Sequence, residues 1–285
     1  MIMNGRKSIG WASKFVRLLA ALFLLATVAA AHEGLHGQIA EVTARIKRAP
    51  LDANLYLRRG ELYRLHQDWR RAAADYDRAA RLQPALAVVD LARGKMLFEA
   101  GRPQGAMLAL DRYLLNQPRD VEALVTRARV FVKMGRRIEA GRDFTTAINL
   151  TSTLQPELYI ERSRALADAP GSNMGDTIEA LRGLDEGLTK LGPLVTLQLC
   201  AIDLELRRKN YDSALARLQT VAAQSPRKET WLVRRGEILL LGGRKREAQE
   251  AFAGALAALQ SLPTHRRRTR AVADLEARLR ITLAP

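Results

Sequence analysis

The stretch ANLYLRRGELYRLHQDWRRAAADYDRAARLQP, residues 53–84, decides the fold. Tyr56 and Gly60 share one helical face in its first half, and Ala72 and Tyr76 share one in its second half. This pattern predicts two helices joined by a short turn. We expect the helix backbones to approach each other where Gly60 meets Ala72, with the tyrosine rings filling the space on either side.

The pattern of this stretch recurs along the chain. Alanines matching Ala72 follow at intervals of 34, 34, 40, 34 and 34 residues, at Ala106, Ala140, Ala180, Ala214 and Ala248. Six copies result: 53–84, 87–118, 121–152, 156–193, 195–226 and 229–260. An internal period of this length is typical of stacked helix pairs. The long interval locates extra residues at 167–176, where Pro and Gly predict a mobile loop.

The copies resemble the tetratricopeptide repeat (TPR) consensus over about residues 53–260. Tyr56, Gly60, Ala72 and Tyr76 match its aromatic, glycine, alanine and phenylalanine-type positions, and Pro84 matches its closing proline. The resemblance implies an all-α fold, a right-handed α-solenoid of about six helix pairs. It also implies a non-enzymatic scaffold whose concave groove binds a protein or peptide.

Helical patterns extend beyond both ends of the array. Residues 32–52 predict a lead-in helix that covers the first pair, ended by Pro50. Residues 261–285 predict a C-terminal capping helix, because a stacked array needs a terminal helix with one polar face.

Residues 1–31 resemble a secretory signal peptide. Four cations precede the apolar run LLAALFLLATVAA, and small residues follow it. The sequence therefore predicts an exported protein of bacterial type, periplasmic or secreted, in an envelope or secreted complex. An uncleaved signal anchor in the inner membrane is the alternative.

The net charge of +16 favours an acidic partner. Export argues against nucleic acid. The one cysteine, Cys200, has no intramolecular disulfide partner and lies in an apolar segment typical of a buried thiol. The array contains no phosphate-binding glycine loop, nucleophile elbow or cluster of metal ligands. We therefore expect no catalytic residues and no cofactor.

In proteins of the resembled family, the position after the glycine slot faces the groove. Here that position holds Glu61, Lys95, Arg129, Arg164, Asp203 and Glu237. The predicted peptide-binding residues are Lys95, Arg129, Lys133 and Arg164, Lys133 lying one turn beyond Arg129. The alternative is a solvated basic face. Leu57 and Glu61 occupy positions where the family's carboxylate clamp has Lys and Asn, which argues against binding of chaperone tails in the usual form.

A second series of cations directly precedes the small slot. It comprises Arg59, Arg93, Arg127, Arg162 and Arg235. Asp75 and Asp143 lie on second helices, within predicted reach of Arg59 and Arg127. We interpret this series as ion pairs between helices rather than as a binding site.

Two further segments suggest other functions. His32 and His36 in HEGLH, 32–36, match a zinc metallopeptidase motif, although no third ligand follows at the expected spacing. Alternatively, they could form a metal site with a new amino terminus. Arg266, Arg267, Arg268 and Arg270 could contact an anionic membrane surface, or they could be the soluble first turn of the terminal helix.

Overall fold

The computed structural model describes residues 34–153, 155–168 and 174–284, and these ranges contain fifteen helices and no strand. The predicted signal peptide, 1–31, lies outside the described residues, as does half of the predicted loop at 167–176. The chain divides into two compact units, residues 1–130 and 131–285, with the division inside the sixth helix.

The first unit contains two helix pairs and the helix that precedes them. Its helices are α1 (34–48), α2 (Ala53–Leu65), α3 (Trp69–Leu82), α4 (Val88–Glu99), α5 (Pro103–Asn116) and most of α6 (Val121–Lys133). Helix α2 packs against α3, and α4 packs against α5. The side chains of Asp52 and Asp68 cap the first turns of α2 and α3, which fixes where these helices begin.

The second unit continues the alternation. Its helices are α7 (Arg137–Leu150), α8 (Pro156–Ala167), α9 (Met174–Leu191), α10 (Val195–Arg207), α11 (Tyr211–Ala223), α12 (Lys228–Leu241), α13 (Lys245–Gln260), α14 (Thr264–Arg267) and α15 (Arg270–Leu283). The packed pairs are α8 with α9, α10 with α11, and α12 with α13, while α15 packs on α13. The sequence predicted one helix after residue 260. Instead, the short helix α14 precedes α15.

The glycine slots bring two helices of a pair together. A Cβ atom added at Gly60 would lie 2.5 Å from the ring of Tyr76, and one added at Gly94 would lie 2.6 Å from the side chain of Leu110. Gly236 faces Phe252 in the same way, again sixteen residues further on. The atoms nearest to a Cβ added at Gly60 belong to Tyr76, and the close approach of Gly60 and Ala72 stays a prediction. The glycine makes room for the large side chain one turn beyond the alanine, and Ala72 is itself fully buried.

The turns inside the pairs share one backbone conformation. Gln67, Gly101, Gly135, Lys209 and Gly243 all have φ between 56° and 77°. Glycine adopts this left-handed region without steric cost, whereas Gln67 and Lys209 adopt it against their intrinsic preference.

The ends of the array are covered by helices of their own. Val42 and Ile46 of α1 are buried in the core of the first pair, and Leu35 and Ile39 pack against it. At the other end, Leu279 of α15 is buried in the core that α12 and α13 form.

The all-α class and the packing of adjacent helices in pairs are confirmed. Among the helices of the described ranges, none combines the length and the apolarity that crossing a bilayer requires.

Candidate functional site

In the first unit, the position predicted to face the groove in the first copy is tied into the fold. Glu61 accepts a hydrogen bond of 2.5 Å from the hydroxyl of Tyr76 and forms a salt bridge of 3.0 Å with Arg64. Arg64 also reaches Glu99 at 2.5 Å. Burial and the Glu61 carboxylate both raise the pKa of Tyr76, so its hydroxyl stays protonated and donates. Glu61 is thus a structural residue as well as part of the surface.

Lys95, the first predicted binding cation, has a carboxylate beside it. Its Nζ lies 2.6 Å from Glu122 on α6. Both side chains are partly exposed, so solvent and salt weaken this pair. Lys95 therefore offers a ligand less positive charge than an isolated lysine would.

The other predicted binding cations are exposed. Arg129 and Lys133 lie on α6, on either side of the division between the units, and Arg164 lies on α8. In the second unit, Arg164 is next to the half-buried Cys200. Burial raises the pKa of the Cys200 thiol, and the nearby Arg164 opposes that shift. The thiol is therefore a poor nucleophile at neutral pH.

The second arginine series forms ion pairs between helices. Arg59 binds Asp75 at 2.7 Å through two parallel hydrogen bonds. Arg93 pairs with Asp77 and Arg127 with Asp111, each at 2.8 Å, and these two pairs are 34 residues apart. Arg162 is 6% exposed and donates to Glu186 and to the carbonyl of Gly183. The structure supports the predicted structural role for these four arginines; the contact between Arg127 and Asp143 stays a prediction.

Arg235 lines a surface pocket that the sequence did not predict. The pocket opens between α11 and α12 with a volume of about 410 Å³. Its apolar walls include Leu215, Leu218, Leu232 and Trp231, and its polar lining comprises Gln219, Lys228 and Arg235. No acidic side chain is among the described residues that line it. We call this feature the α11–α12 pocket.

Trp231 carries an unused hydrogen-bond donor. Its indole Nε1 is buried and has no acceptor among the described residues. A buried donor without a partner is costly. Sequence reasoning missed Trp231 because the adjacent Leu232 occupies the consensus position. The sequence did contain one signal for this residue, a tryptophan next to a leucine that already fills the consensus position.

The structure describes one of the two histidines of the HEGLH segment. His32 lies outside the described residues. His36 lies on α1, and its side chain meets His66, which follows the last residue of α2. Within the described ranges, no three metal-ligating side chains cluster together.

The basic run at the C-terminal end does not form one helical turn as expected. Arg266 and Arg267 lie on α14, Arg268 follows it, and Arg270 begins α15. Arg267 pairs with Glu276 at 3.0 Å, while the other three arginines are exposed. The run therefore presents fewer available charges than its sequence suggests.

Solved structures with the same fold were found by comparison. The C-terminal part of a TPR repeat-containing protein from Cytophaga hutchinsonii matches with a TM-score of 0.64 and 14% identity, over 85% of this chain and 94% of that one. The TPR protein YrrB matches with a TM-score of 0.54 and 19% identity, over 65% and 92%. A tetratricopeptide repeat protein from Parabacteroides merdae matches with a TM-score of 0.51 and 18% identity, over 86% and 92%.

No protein-family model and no curated protein matches the sequence. The fold therefore rests on the 34-residue period, the packed helix pairs and these structural similarities. Together they confirm the resemblance at the level of fold: the chain has the fold of tetratricopeptide repeat proteins.

Proposed function

We propose that the chain is a protein-binding scaffold and that the α11–α12 pocket holds an acidic peptide segment of the partner by one bulky apolar side chain. The observation that carries this proposal is the make-up of the pocket. It combines apolar walls, which include Trp231, with two cations, Lys228 and Arg235, and has no acidic lining residue in the described structure.

Each part of the pocket has a matching part in such a peptide. An apolar side chain buried against the leucines and Trp231 contributes about 1.5–3 kcal/mol. Carboxylates beside the apolar residue can pair with Lys228 and Arg235, which fixes orientation and speeds association.

The exposed cations Arg129, Lys133 and Arg164 belong to the same proposal as charges that attract the partner, Arg129 in the first unit and Lys133 and Arg164 in the second. They favour an acidic partner through long-range attraction, in line with the net charge of +16. Lys95 contributes less because Glu122 neutralises part of its charge. Among proteins of this fold, YrrB is described as having an unusual peptide-binding site, which supports peptide binding as a use of the architecture.

A peptide library displayed on phage and selected against the full chain tests the proposal. We expect selected peptides to share a bulky apolar residue flanked by Asp or Glu. Trp231→Ala should weaken their binding about thirtyfold, because a buried tryptophan at the centre of an interface contributes about 2 kcal/mol or more. Reversing both Lys228 and Arg235 to Glu should abolish binding at low salt.

Matched controls separate the surfaces. Lys245→Glu with Arg246→Glu removes the same charge from exposed positions on α13 and should leave binding unchanged. Arg164→Glu tests the cations of the second unit. If Arg164→Glu abolishes binding while the pocket variants bind normally, the region around Arg164 is the site. Failure of the library to yield any specific peptide would count against the function itself.

Export to a periplasmic or secreted location is part of the proposed setting and rests on residues 1–31 alone. Mass spectrometry of the protein recovered from its native cells tests it. A mature amino terminus near His32 supports cleavage of the signal, and a chain retaining residues 1–31 contradicts cleavage.

A further inference from the structure

We propose that a second, smaller pocket near the C-terminal end of the array binds a free α-amino acid with an apolar side chain. The pocket lies within the second unit, between the start of α12, the turn after α13, α14 and the start of α15. Its volume of about 330 Å³ is at the small end of the range for ligand pockets, about 300–1,000 Å³. We call it the α12–α15 pocket, and its lining includes Arg227, Glu229, Leu262, Arg266, Thr269 and Val272.

Glu229 gives this pocket a buried carboxylate. The residue is 4% exposed, and its Oε1 accepts a hydrogen bond of 3.0 Å from Nε of Arg227. Its other oxygen, Oε2, has no donor among the described residues and is not sealed from solvent, so a ligand can reach it. A carboxylate accepts several hydrogen bonds, and a charged donor makes the strongest ones. Glu229 can therefore hold an ammonium group.

Arg266 supplies the opposite charge. Its side chain is exposed and has no acidic partner within the described ranges, because Glu276 on α15 pairs with Arg267 and Arg280 instead. Its backbone carbonyl accepts a hydrogen bond of 2.9 Å from the hydroxyl of Thr269, which holds the residue at the pocket. A guanidinium group can bind a carboxylate through two parallel hydrogen bonds.

The apolar wall of the pocket is built into the fold. Leu262 and Val272 are partly buried and pack against the core that α12 and α13 form. These side chains are therefore in place before a ligand arrives, which lowers the entropy lost on binding.

Both signs of charge in one small pocket favour a zwitterion. A purely anionic ligand would face Glu229, and a purely cationic one would face Arg227 and Arg266. An α-amino acid carries an ammonium group, a carboxylate and a side chain on one carbon atom. It can place the ammonium at Glu229, the carboxylate at Arg266 and an apolar side chain against the wall.

The α12–α15 pocket shares no lining residue with the α11–α12 pocket. Binding of an amino acid therefore does not depend on the proposed peptide binding, and either can fail alone. A bound amino acid would connect α12 to α14 and α15 at the end of the array.

Titration calorimetry of the full chain with L-leucine tests the pocket. Two analogues keep the side chain: isocaproate lacks the ammonium group of leucine, and isoamylamine lacks its carboxylate. We expect one leucine to bind per chain. Each analogue should bind about tenfold more weakly or worse, because a hydrogen bond between charged groups is lost.

Two substitutions separate the roles of the charges. Glu229→Gln keeps the shape of the side chain and should weaken leucine binding about tenfold without weakening that of isocaproate. Arg266→Gln should weaken the binding of leucine and isocaproate but not that of isoamylamine. Arg268→Gln is the matched control, because Arg268 is exposed in the same basic run and does not line the pocket, and it should bind leucine as the wild-type chain does.

The exposed position of Arg266 keeps the test valid even if Glu229→Gln fails to fold, which circular dichroism would show. If isocaproate binds as tightly as leucine, the pocket is an anion site and the proposal is overturned. It is also overturned if Arg268→Gln weakens leucine binding as much as Arg266→Gln does. Failure of leucine, isoleucine, valine and methionine all to bind at millimolar concentration would overturn it as well.

Discussion

Replacing Gly236 by Ala tests how the glycine slot works. Gly236 lies in the middle of α12, and a Cβ atom added there would lie 2.7 Å from two atoms of the Phe252 ring. Phe252 is 5% exposed and has little room to move. Overpacking of this kind costs about 1–3 kcal/mol. Alanine is favoured over glycine in a helix by about 1 kcal/mol, which offsets part of that cost.

Gly254→Ala in the partner helix α13 is the matched control. A Cβ atom at Gly254 would lie 3.6 Å from Leu232, an ordinary van der Waals contact. This variant gains helix propensity without a clash and should be stabilised by about 1 kcal/mol. Because both substitutions carry the same propensity term, the difference between them isolates the packing cost, about 1–3 kcal/mol.

Urea unfolding of both variants in the full chain measures this difference. The two sites lie in one helix pair and report on the same local unfolding. Shortening the facing side chain with Phe252→Leu should relieve Gly236→Ala, so that the double variant is more stable than the sum of the single effects. If Gly236→Ala stabilises the chain as much as Gly254→Ala does, the glycine slot is not closely packed against Phe252.

Three further predictions concern a turn, an ion pair and a thiol. Gln67→Gly should raise the free energy of unfolding by about 0.5–1 kcal/mol, and Gly101→Gln should lower it by about 1 kcal/mol, because both positions have left-handed backbone. Urea unfolding measures both changes. If the two substitutions shift the free energy of unfolding in the same direction, the backbone conformation does not set these preferences. Lys190 and Arg162 lower the pKa of Glu186 in the folded chain. The stability this contributes is present above the unfolded pKa of about 4.3 and is lost as the pH falls through the lower folded value. Glu186→Gln should therefore reduce stability at neutral pH and flatten its loss on acidification, and parallel acid curves of variant and wild type would exclude this. Cys200 should react with iodoacetamide more slowly than free cysteine at pH 8, because burial raises the pKa of its thiol. Unfolding the chain in urea should accelerate the reaction. A reaction of the folded chain as fast as that of free cysteine would contradict the burial of the thiol.

The helices could be predicted from the sequence because the same packing constraint recurs in each copy. Tyr56, Gly60 and Ala72 mark a buried face, and Pro103 occupies the first position of α5, where no amide donor is needed. The pattern did not say which large side chain the glycine faces. That depends on the rotation of two helices about their axes, which sequence spacing alone does not fix.

The surfaces were harder to predict because they depend on pairs of residues from different helices. Lys95 and Glu122 are 27 residues apart, and their contact depends on how consecutive helices stack. The α11–α12 pocket exists where packing between neighbouring pairs leaves space, and Trp231 occupies no consensus position. His66 was visible in the sequence, but only the packing of α1 brings it to His36.

The proposed binding mode can be tested most directly by photo-crosslinking in the native cells. A photoreactive amino acid replaces Gln219, which lines the α11–α12 pocket on an exposed position, and in a second chain it replaces Lys245. We expect position 219 to capture a partner segment with a bulky apolar residue between acidic residues, and we expect Trp231→Ala to abolish this product. Position 245 should capture no such product. If a partner crosslinks equally from both positions, or if the product survives Trp231→Ala, the α11–α12 pocket is not the binding site.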